Sequence, residues 1–263
     1  GGNFEGKSIL TRRRSPQEVA QRHGRSQSEI AGLFSKYRTS LLVARSRRVA
    51  PRLDRKIITS WNGLAISALA RAYGLFGDVR YLQAAEKTAD FLMKTHKRQG
   101  GGLYRSSTDG VTGPNAILDD YAFLAVGLMD LYQVTGDLWQ LKRALKLMDV
   151  VRTKFRHPDA AFYLTSSDHP APLGRQLEIT DGVRPCGNSA MLSALLTASE
   201  LTGDPGPLED LESDLKHYAN LIQMAGMEMA GWLDVALKHQ GPRKKPTHDP
   251  AELRRQLIQG WQK

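Results

Sequence analysis

The pattern of apolar and polar positions along the chain predicts pairs of antiparallel helices. Apolar or small residues recur at every third or fourth position on both sides of three Gly-Asp pairs, which gives each stretch one apolar helical face. Gly77, Gly136 and Gly203 suit left-handed C-caps, and the aspartate after each glycine suits the start of a partner helix. We therefore expect helical hairpins at about residues 61–96, 119–155 and 188–225.

The segments between these hairpins favour short β-ribbons. Residues 100–110 read GGGLYRSSTDG and residues 161–170 read AFYLTSSDHP, so they are rich in glycine or alternate in polarity. Repeats of antiparallel helices cannot bury their apolar faces alone and must stack on their neighbours. We favour a closed ring over an open solenoid, and predict an all-α fold, an (α/α) toroid with small β-ribbons.

Positive charge is concentrated near the start of the chain. The formal net charge is +10, and residues 1–56 carry 14 Lys and Arg against four Asp and Glu, whereas residues 57–263 carry 23 of each sign. The arginines at 12–14 and 45–48 suit contacts with phosphate or an acidic partner. No aromatic residues are interleaved with them and no nucleic-acid motif is present, so a solvated helix face is the preferred interpretation and a nucleic-acid partner is not expected.

Composition indicates a globular protein of the cytoplasm. The hydrophobic content of 41% is enough for a core, and no apolar run is long enough to span a bilayer or to act as a signal peptide. Cys186 is the only cysteine, which excludes an internal disulfide. The chain has no paired histidine ligands, Walker loop or dinucleotide motif, so we expect no metal and no cofactor.

We predict three domains in chain order. Residues 1–56 form a basic N-terminal helical segment, and residues 57–240 contain the hairpin repeats. Residues 241–263 form a basic linker and a last amphipathic helix with Leu253, Leu257 and Trp261 on its apolar face.

Polar and aromatic residues recur where each inner helix of the predicted ring begins. In a toroid these helix starts gather at one mouth, and carboxylates, amides and aromatic faces are the groups with which proteins bind sugars. The candidate catalytic residues are Asp119, Asp120 and Asp181, and the candidate substrate-binding residues are Trp61, Asn62, Tyr104, Tyr121 and Asn188. The alternative is that the aspartates and Asn188 are helix caps or turn residues and the aromatic residues belong to the core.

Two of these candidates are restricted by their positions. Adjacent helical residues point about 100° apart, so Asp119 and Asp120 cannot share one role, and we expect one to cap the helix.

Cys186 precedes an inner helix, where the helix dipole is expected to lower its pKa, which makes it a candidate nucleophile. A lone thiol without a nearby histidine is usually inert.

Three motifs carry a family resemblance. DRKIITSWNGLAISALARA at 54–72, LDDYAFLAVGLMDLY at 118–132 and DGVRPCGNSA at 181–190 resemble the C-terminal region of the thioredoxin-like proteins that include spermatogenesis-associated protein 20. The resemblance implies a six-hairpin (α/α) toroid similar in fold to glycoside hydrolases and sugar 2-epimerases. It also implies a thioredoxin-like domain outside this chain as a partner, and the three hairpins would be half of the ring.

The function expected from the resemblance is carbohydrate processing. A glycosidase-like or epimerase-like reaction on a small saccharide fits the candidate carboxylates, because paired acids permit general acid and base catalysis. The alternative is a non-catalytic interaction module that binds a protein or a sugar at the mouth.

Overall fold

A computed structural model describes residues 2, 4–7, 9–169, 174–242 and 249–259, which belong to two compact units, 1–54 and 55–263. The smaller unit contains helices α1 (Pro16–His23) and α2 (Gln27–Ser46). Each begins with a capping box, in which a serine side chain accepts from the backbone of a glutamate three residues later and the glutamate accepts from the serine backbone. These boxes fix where both helices start.

The larger unit contains the three predicted hairpins. They are α3 (Thr59–Phe76) with α4 (Val79–Thr95), α5 (Leu118–Thr135) with α6 (Leu138–Lys154), and α7 (Gly187–Thr202) with α8 (Gly206–Ala225). Gly77, Gly136 and Gly203 end the first helix of each pair with φ of 69°, 71° and 64°. The carboxylates of Asp78 and Asp137 cap the partner helices. The prediction of helical hairpins joined at Gly-Asp pairs is confirmed.

Helix α5 is the centre of the packing. It lies between α3 and α7, and 13 of its 18 residues are buried. Helices α3 and α5 approach closely at Gly63 and Gly127, since a Cβ on Gly63 would lie 2.6 Å from the backbone of Phe123 and Leu124. The first helices of the hairpins therefore form an inner layer, and α4, α6 and α8 pack as their partners.

A small antiparallel sheet precedes α5. Strands β1 (Lys56–Ile58), β2 (Ser106–Thr108) and β3 (Val111–Thr112) pair in that order, with Lys56 opposite Thr108 and Ser107 opposite Thr112. Asp109 and Gly110 connect β2 to β3 with φ of 53° and 83°, the signs that a tight hairpin turn requires. The ribbon predicted at 100–110 is present in part: β2 and β3 lie at 106–112, Gln99–Gly101 form a 3₁₀ turn, and β1 adds a third strand.

The second predicted ribbon differs from the structure. Among the described residues of 161–169, the only strand-like pairing is an isolated bridge between Arg156 and Phe162, and Pro170 lies outside the described residues. Side chains satisfy this backbone instead, because Asp214 accepts from the Ala161 N–H and Asn188 bonds both backbone groups of Phe162.

Two further helices follow the hairpins. Helix α9 (Ala230–Gln240), which the sequence did not predict, packs on α7 and α8, and α10 (Pro250–Gln259) packs on α7. Leu253 and Leu257 are buried as predicted, whereas Trp261 and linker residues 243–248 lie outside the described part of the chain. None of the described helices is both long and apolar enough to cross a membrane.

Candidate functional site

The first turns of four helices meet at one end of the larger unit. The Ser60 N–H of α3 donates to Asp120 of α5 over 2.9 Å, and the Gly231 N–H of α9 donates to Asp181, just before α7, over 2.6 Å. Helices α5 and α7 also touch here, since a Cβ on Gly187 would lie 2.5 Å from Oδ1 of Asp119. We call this end, with residues 104–117 and 174–186 around it, the mouth.

Asp120 holds two helix starts together. Its Oδ1 accepts from Ser60 and its Oδ2 accepts from the Ile117 N–H, each over 2.9 Å, and the side chain is fully buried. Burial raises the pKa of Asp120 to about 6, although the backbone donors favour the charged form. Both oxygens are used within the protein, which is the arrangement of a buried helix cap.

Asp181 has the same kind of role at α7 and α9. Its Oδ1 accepts from the Cys186 N–H over 2.8 Å and from the Ser189 hydroxyl over 3.0 Å, and its Oδ2 accepts from the Gly231 N–H.

The sulfur of Cys186 caps the start of α7, where it accepts from the Ser189 N–H over 3.3 Å. Burial raises the pKa of the Cys186 thiol, so the expectation that the helix dipole lowers it is wrong, and the structure gives no support for a nucleophile there.

Asp119 differs because its oxygens are not both satisfied. Its Oδ2 forms a 2.6 Å ion pair with Arg184, while the buried Oδ1 has no hydrogen-bond partner among the described residues and lies over Gly187. Burial raises the pKa of Asp119, Arg184 opposes that effect, and Glu178 adds to it. The two adjacent aspartates thus have separate roles, as their positions on the helix predict.

Asn188 and Tyr121 are enclosed in the protein. The Asn188 side chain accepts from the Phe162 N–H over 2.8 Å and donates to the carbonyls of Phe162 and Glu178 over 3.0 and 2.7 Å. The Tyr121 hydroxyl accepts from the Leu103 N–H over 2.9 Å. Asn188 therefore joins the segments around Phe162 and Glu178 to α7, and Tyr121 joins the segment at Leu103 to α5.

The remaining candidates are more accessible. Trp61, in the first turn of α3, is 63% exposed. The Asn62 amide donates to the Ile58 carbonyl over 2.8 Å, and the Tyr104 ring faces the Arg98 guanidinium at 5.7 Å. Trp61 is thus the predicted site residue with the largest free surface at the mouth.

Sequence reasoning missed three charged residues here. Arg184 is the partner of Asp119, and the charges of Arg105 and Glu178 act on the same carboxylate. Arg105 and Glu178 are exposed, and Arg184 is partly exposed. All three come from loops, which carry no helical period, although Arg105 stands in the predicted ribbon at 100–110 and Arg184 in the motif at 181–190.

The described residues offer no group of three or more His, Cys, Asp or Glu side chains arranged to hold a metal ion. Among the described side chains, the mouth offers an aromatic face, two arginines and several carboxylates, of which Glu178 is exposed.

Comparison with known proteins identifies relatives of the chain. It is 31% identical over 219 residues to human spermatogenesis-associated protein 20, covering 77% of this chain and 27% of that protein. It is 34% identical over 203 residues to the Caenorhabditis elegans protein B0495.5, covering 74% of this chain and 28% of that protein. The chain thus spans just over a quarter of the length of these relatives.

Solved structures share the fold of the larger part of the chain. An alpha-mannanase of glycoside hydrolase family 76 from Bacteroides thetaiotaomicron superimposes with a TM-score of 0.56 at 18% identity, over 71% of this chain and 52% of that one. Cellobiose 2-epimerase from Bacillus thermoamylovorans gives a TM-score of 0.54 at 18% identity, over 63% and 45%. At 18% identity, these comparisons show that the fold is similar and nothing more.

The family profile described as "D-glucuronyl C5-epimerase C-terminus" matches residues 61–122. This range runs from Trp61 through the first hairpin and the ribbon to the start of α5. The chain is a homologue of spermatogenesis-associated protein 20, and it has the (α/α) toroid fold of the glycosidase and epimerase structures compared above.

Proposed function

We propose that the mouth binds a saccharide, with Trp61 as the stacking surface and Arg184 as a polar contact. The observation that carries this proposal is the large free surface of Trp61 at the end where Asp119 anchors Arg184. Aromatic faces bind the apolar side of a sugar ring, and a fixed guanidinium donates to its hydroxyl oxygens. The sugar-processing toroid fold supports the same ligand class.

The predicted catalytic roles of Asp119, Asp120 and Asp181 stay predictions. Asp120 and Asp181 use both oxygens on backbone donors, and Asp119 is buried against Gly187. We therefore assign these three carboxylates to positioning: Asp120 and Asp181 hold the helix starts, and Asp119 orients Arg184. This division favours binding as the primary function of the mouth.

A second candidate function is proton transfer at a sugar carbon, as in an epimerase. It is favoured by the position of Glu178, an exposed carboxylate whose charge acts on the Asp119–Arg184 ion pair, since an accessible carboxylate beside a guanidinium can act as a general base. Glu178 is more exposed than Asp119 and the better placed to meet a ligand. The thioredoxin-like partner, the cytoplasmic location and the three-domain division also stay predictions.

A thermal-shift screen tests the binding proposal, because a ligand that binds the native state raises the unfolding midpoint. The names of the relatives suggest cellobiose, mannose oligomers and glucuronic acid as probes. We expect at least one probe to raise the midpoint of the wild type, and the response to be lost in Trp61→Ala and Arg184→Ala.

The matched control is Phe76→Ala, which removes another exposed aromatic side chain of α3, in its last turn. This variant should respond to the sugar as the wild type does. If no saccharide shifts the wild type, or if Trp61→Ala responds as strongly as Phe76→Ala, the mouth is not a saccharide site. If binding is established, loss of epimerisation in Glu178→Gln with retained binding would support the second candidate.

A further inference from the structure

A pocket with concentrated positive charge lies between α4, the 3₁₀ turn at Gln99–Gly101 and α6. Its volume is about 860 Å³, within the range of small-molecule sites. Apolar side chains of Met93, Leu103, Leu147 and Val150 contribute to its lining. None of the candidate site residues lines it, although it adjoins them, since its lining residues Arg98 and Leu103 contact Tyr104 and Tyr121.

The lining is strongly basic. Six cationic side chains contribute to it, with Asp149 as the single acidic one: Lys94, Lys97, Arg98, Lys142, Arg143 and Lys146. Residues 57–263 carry equal numbers of basic and acidic side chains, so this excess is local. Within the described part of the chain, Lys94, Lys97 and Lys142 take part in no ion pair. The positive charge of these three lining side chains is therefore not balanced by acidic partners.

Helix electrostatics account for only part of this arrangement. Lys94 lies in the last turn of α4, where a cation is favourable to the helix dipole. Lys142 lies in the body of α6, where the helix dipole does not account for a cation. An anion between α4 and α6 would neutralise the charges of Lys94 and Lys142.

The pocket also has an aromatic surface and an open backbone turn. Trp139 is 52% exposed, and the Arg143 guanidinium lies 5.3 Å from its ring centroid while pairing with Asp90 over 2.8 Å. Gly100 and Gly101 have φ of 80° and 87°, and a Cβ on either would meet no atom within 4 Å. A ligand can thus approach the indole and the turn as well as the cations.

We propose that this pocket binds a small organic anion that carries two or more phosphate groups. Lysine ammonium groups are point charges suited to phosphate, and Arg98 adds a planar donor that pairs with two oxygens. The indole of Trp139 packs against the carbon skeleton of the ligand. The size of the cavity favours a small molecule over a polymer.

Isothermal titration calorimetry at constant ionic strength tests this proposal with three probes: fructose 1,6-bisphosphate, inorganic tripolyphosphate and fructose. The wild type should bind both anions, and Trp61→Ala, which removes the proposed saccharide contact at the mouth, should still bind both anions but not fructose. Lys97→Glu combined with Lys142→Glu should weaken anion binding by about tenfold or more, as expected when charge-assisted contacts become repulsive. Circular dichroism checks that the variant is folded.

The control is Lys36→Glu combined with Lys87→Glu, which changes the net charge equally at two exposed helical positions outside the pocket. Its affinity should stay within about twofold of the wild type, because salt screens exposed charges that do not line the pocket. Absence of anion binding by the wild type, or equal losses in both double variants, would overturn the proposal. Tighter binding of a single-stranded oligonucleotide than of the bisphosphate would also overturn it, in favour of a nucleic-acid surface.

Trp139→Ala separates ring contact from charge. It should weaken binding of the bisphosphate and leave tripolyphosphate unchanged, since tripolyphosphate has no carbon skeleton. Equal effects on both probes would mean that the indole does not contact the ligand, and would overturn that part of the proposal. Saccharide binding at the mouth is tested with neutral sugars and Trp61, so the two proposals can fail independently.

Discussion

Replacement of Asn188 by alanine should lower the free energy of unfolding, because this side chain forms three hydrogen bonds that hold loops near the mouth. Asn188 is fully buried in the first turn of α7. It accepts from the Phe162 N–H over 2.8 Å and donates to the carbonyls of Phe162 and Glu178 over 3.0 and 2.7 Å. Alanine removes all three hydrogen bonds and leaves the two backbone groups of Phe162 inside the protein.

The expected loss is large for a single substitution. A buried polar group without a partner costs about 1–3 kcal/mol, so two such groups on Phe162 give about 2–6 kcal/mol. The Glu178 carbonyl adds little, because Glu178 is exposed and water can replace the amide. For a domain of this size each kcal/mol lowers the thermal midpoint by about 2–4 °C, so we expect a drop of about 10 °C.

Urea unfolding followed by far-ultraviolet circular dichroism measures this loss. Asn62→Ala is the matched control, since the Asn62 side chain is half-buried and donates one hydrogen bond, to Ile58 over 2.8 Å. It should cost about 1 kcal/mol or less. If Asn188→Ala is as stable as Asn62→Ala, the buried network is not a significant source of stability, and Asn188 returns as a ligand-binding candidate.

Three further predictions concern the same end of the protein. Gly63→Ala places a Cβ 2.6 Å from the α5 backbone and should lower the free energy of unfolding, measured in urea, by about 3 kcal/mol or more. The control is Gly74→Ala in the same helix, whose Cβ meets only one side-chain atom, at 3.2 Å, and which should have nearly the stability of the wild type. Burial lowers the pKa of His96, so the wild type should lose stability relative to His96→Gln as the pH falls below about 6.5; a difference that does not vary with pH would refute this. Asp120 acts in the opposite direction: its pKa is raised to about 6, so its contribution is full below its ordinary value of 3.8 and is lost as the pH rises through 6. The wild type should therefore gain about 2 kcal/mol over Asp120→Asn between pH 7 and pH 4, and a constant difference would contradict the raised pKa.

The helical hairpins could be predicted from sequence because they are specified locally. A helical period, a glycine with positive φ and a capping aspartate all lie within a few residues of each other, as at Gly77 and Gly136. Strand β1 and helix α9 were not predicted. β1 has three residues and exists through its pairing with β2, while α9 depends on packing against α7 and α8.

The mouth could be predicted only in outline. The sequence indicates that inner helices begin with polar residues, but not which side chains meet across the fold. The ion pair between Asp119 and Arg184 joins residues that are 65 positions apart, and its formation depends on how the loop before α7 packs on α5. Glu178 and Arg105 were missed for the same reason, since their relation to Asp119 exists only in three dimensions.

The ring architecture itself explains why structural and catalytic residues are hard to distinguish here. Each inner helix leaves N–H groups without partners in its first turn, and when several such turns are buried together they require internal acceptors. Asp120 and Asp181 provide these acceptors, so the fold requires carboxylates at the mouth whether or not a reaction occurs there. Ligand contacts are then to be sought among groups that remain accessible after the backbone is satisfied, above all Trp61 and Arg184. Stability should respond to the first set of residues and ligand binding to the second, which makes the two sets separable by measurement.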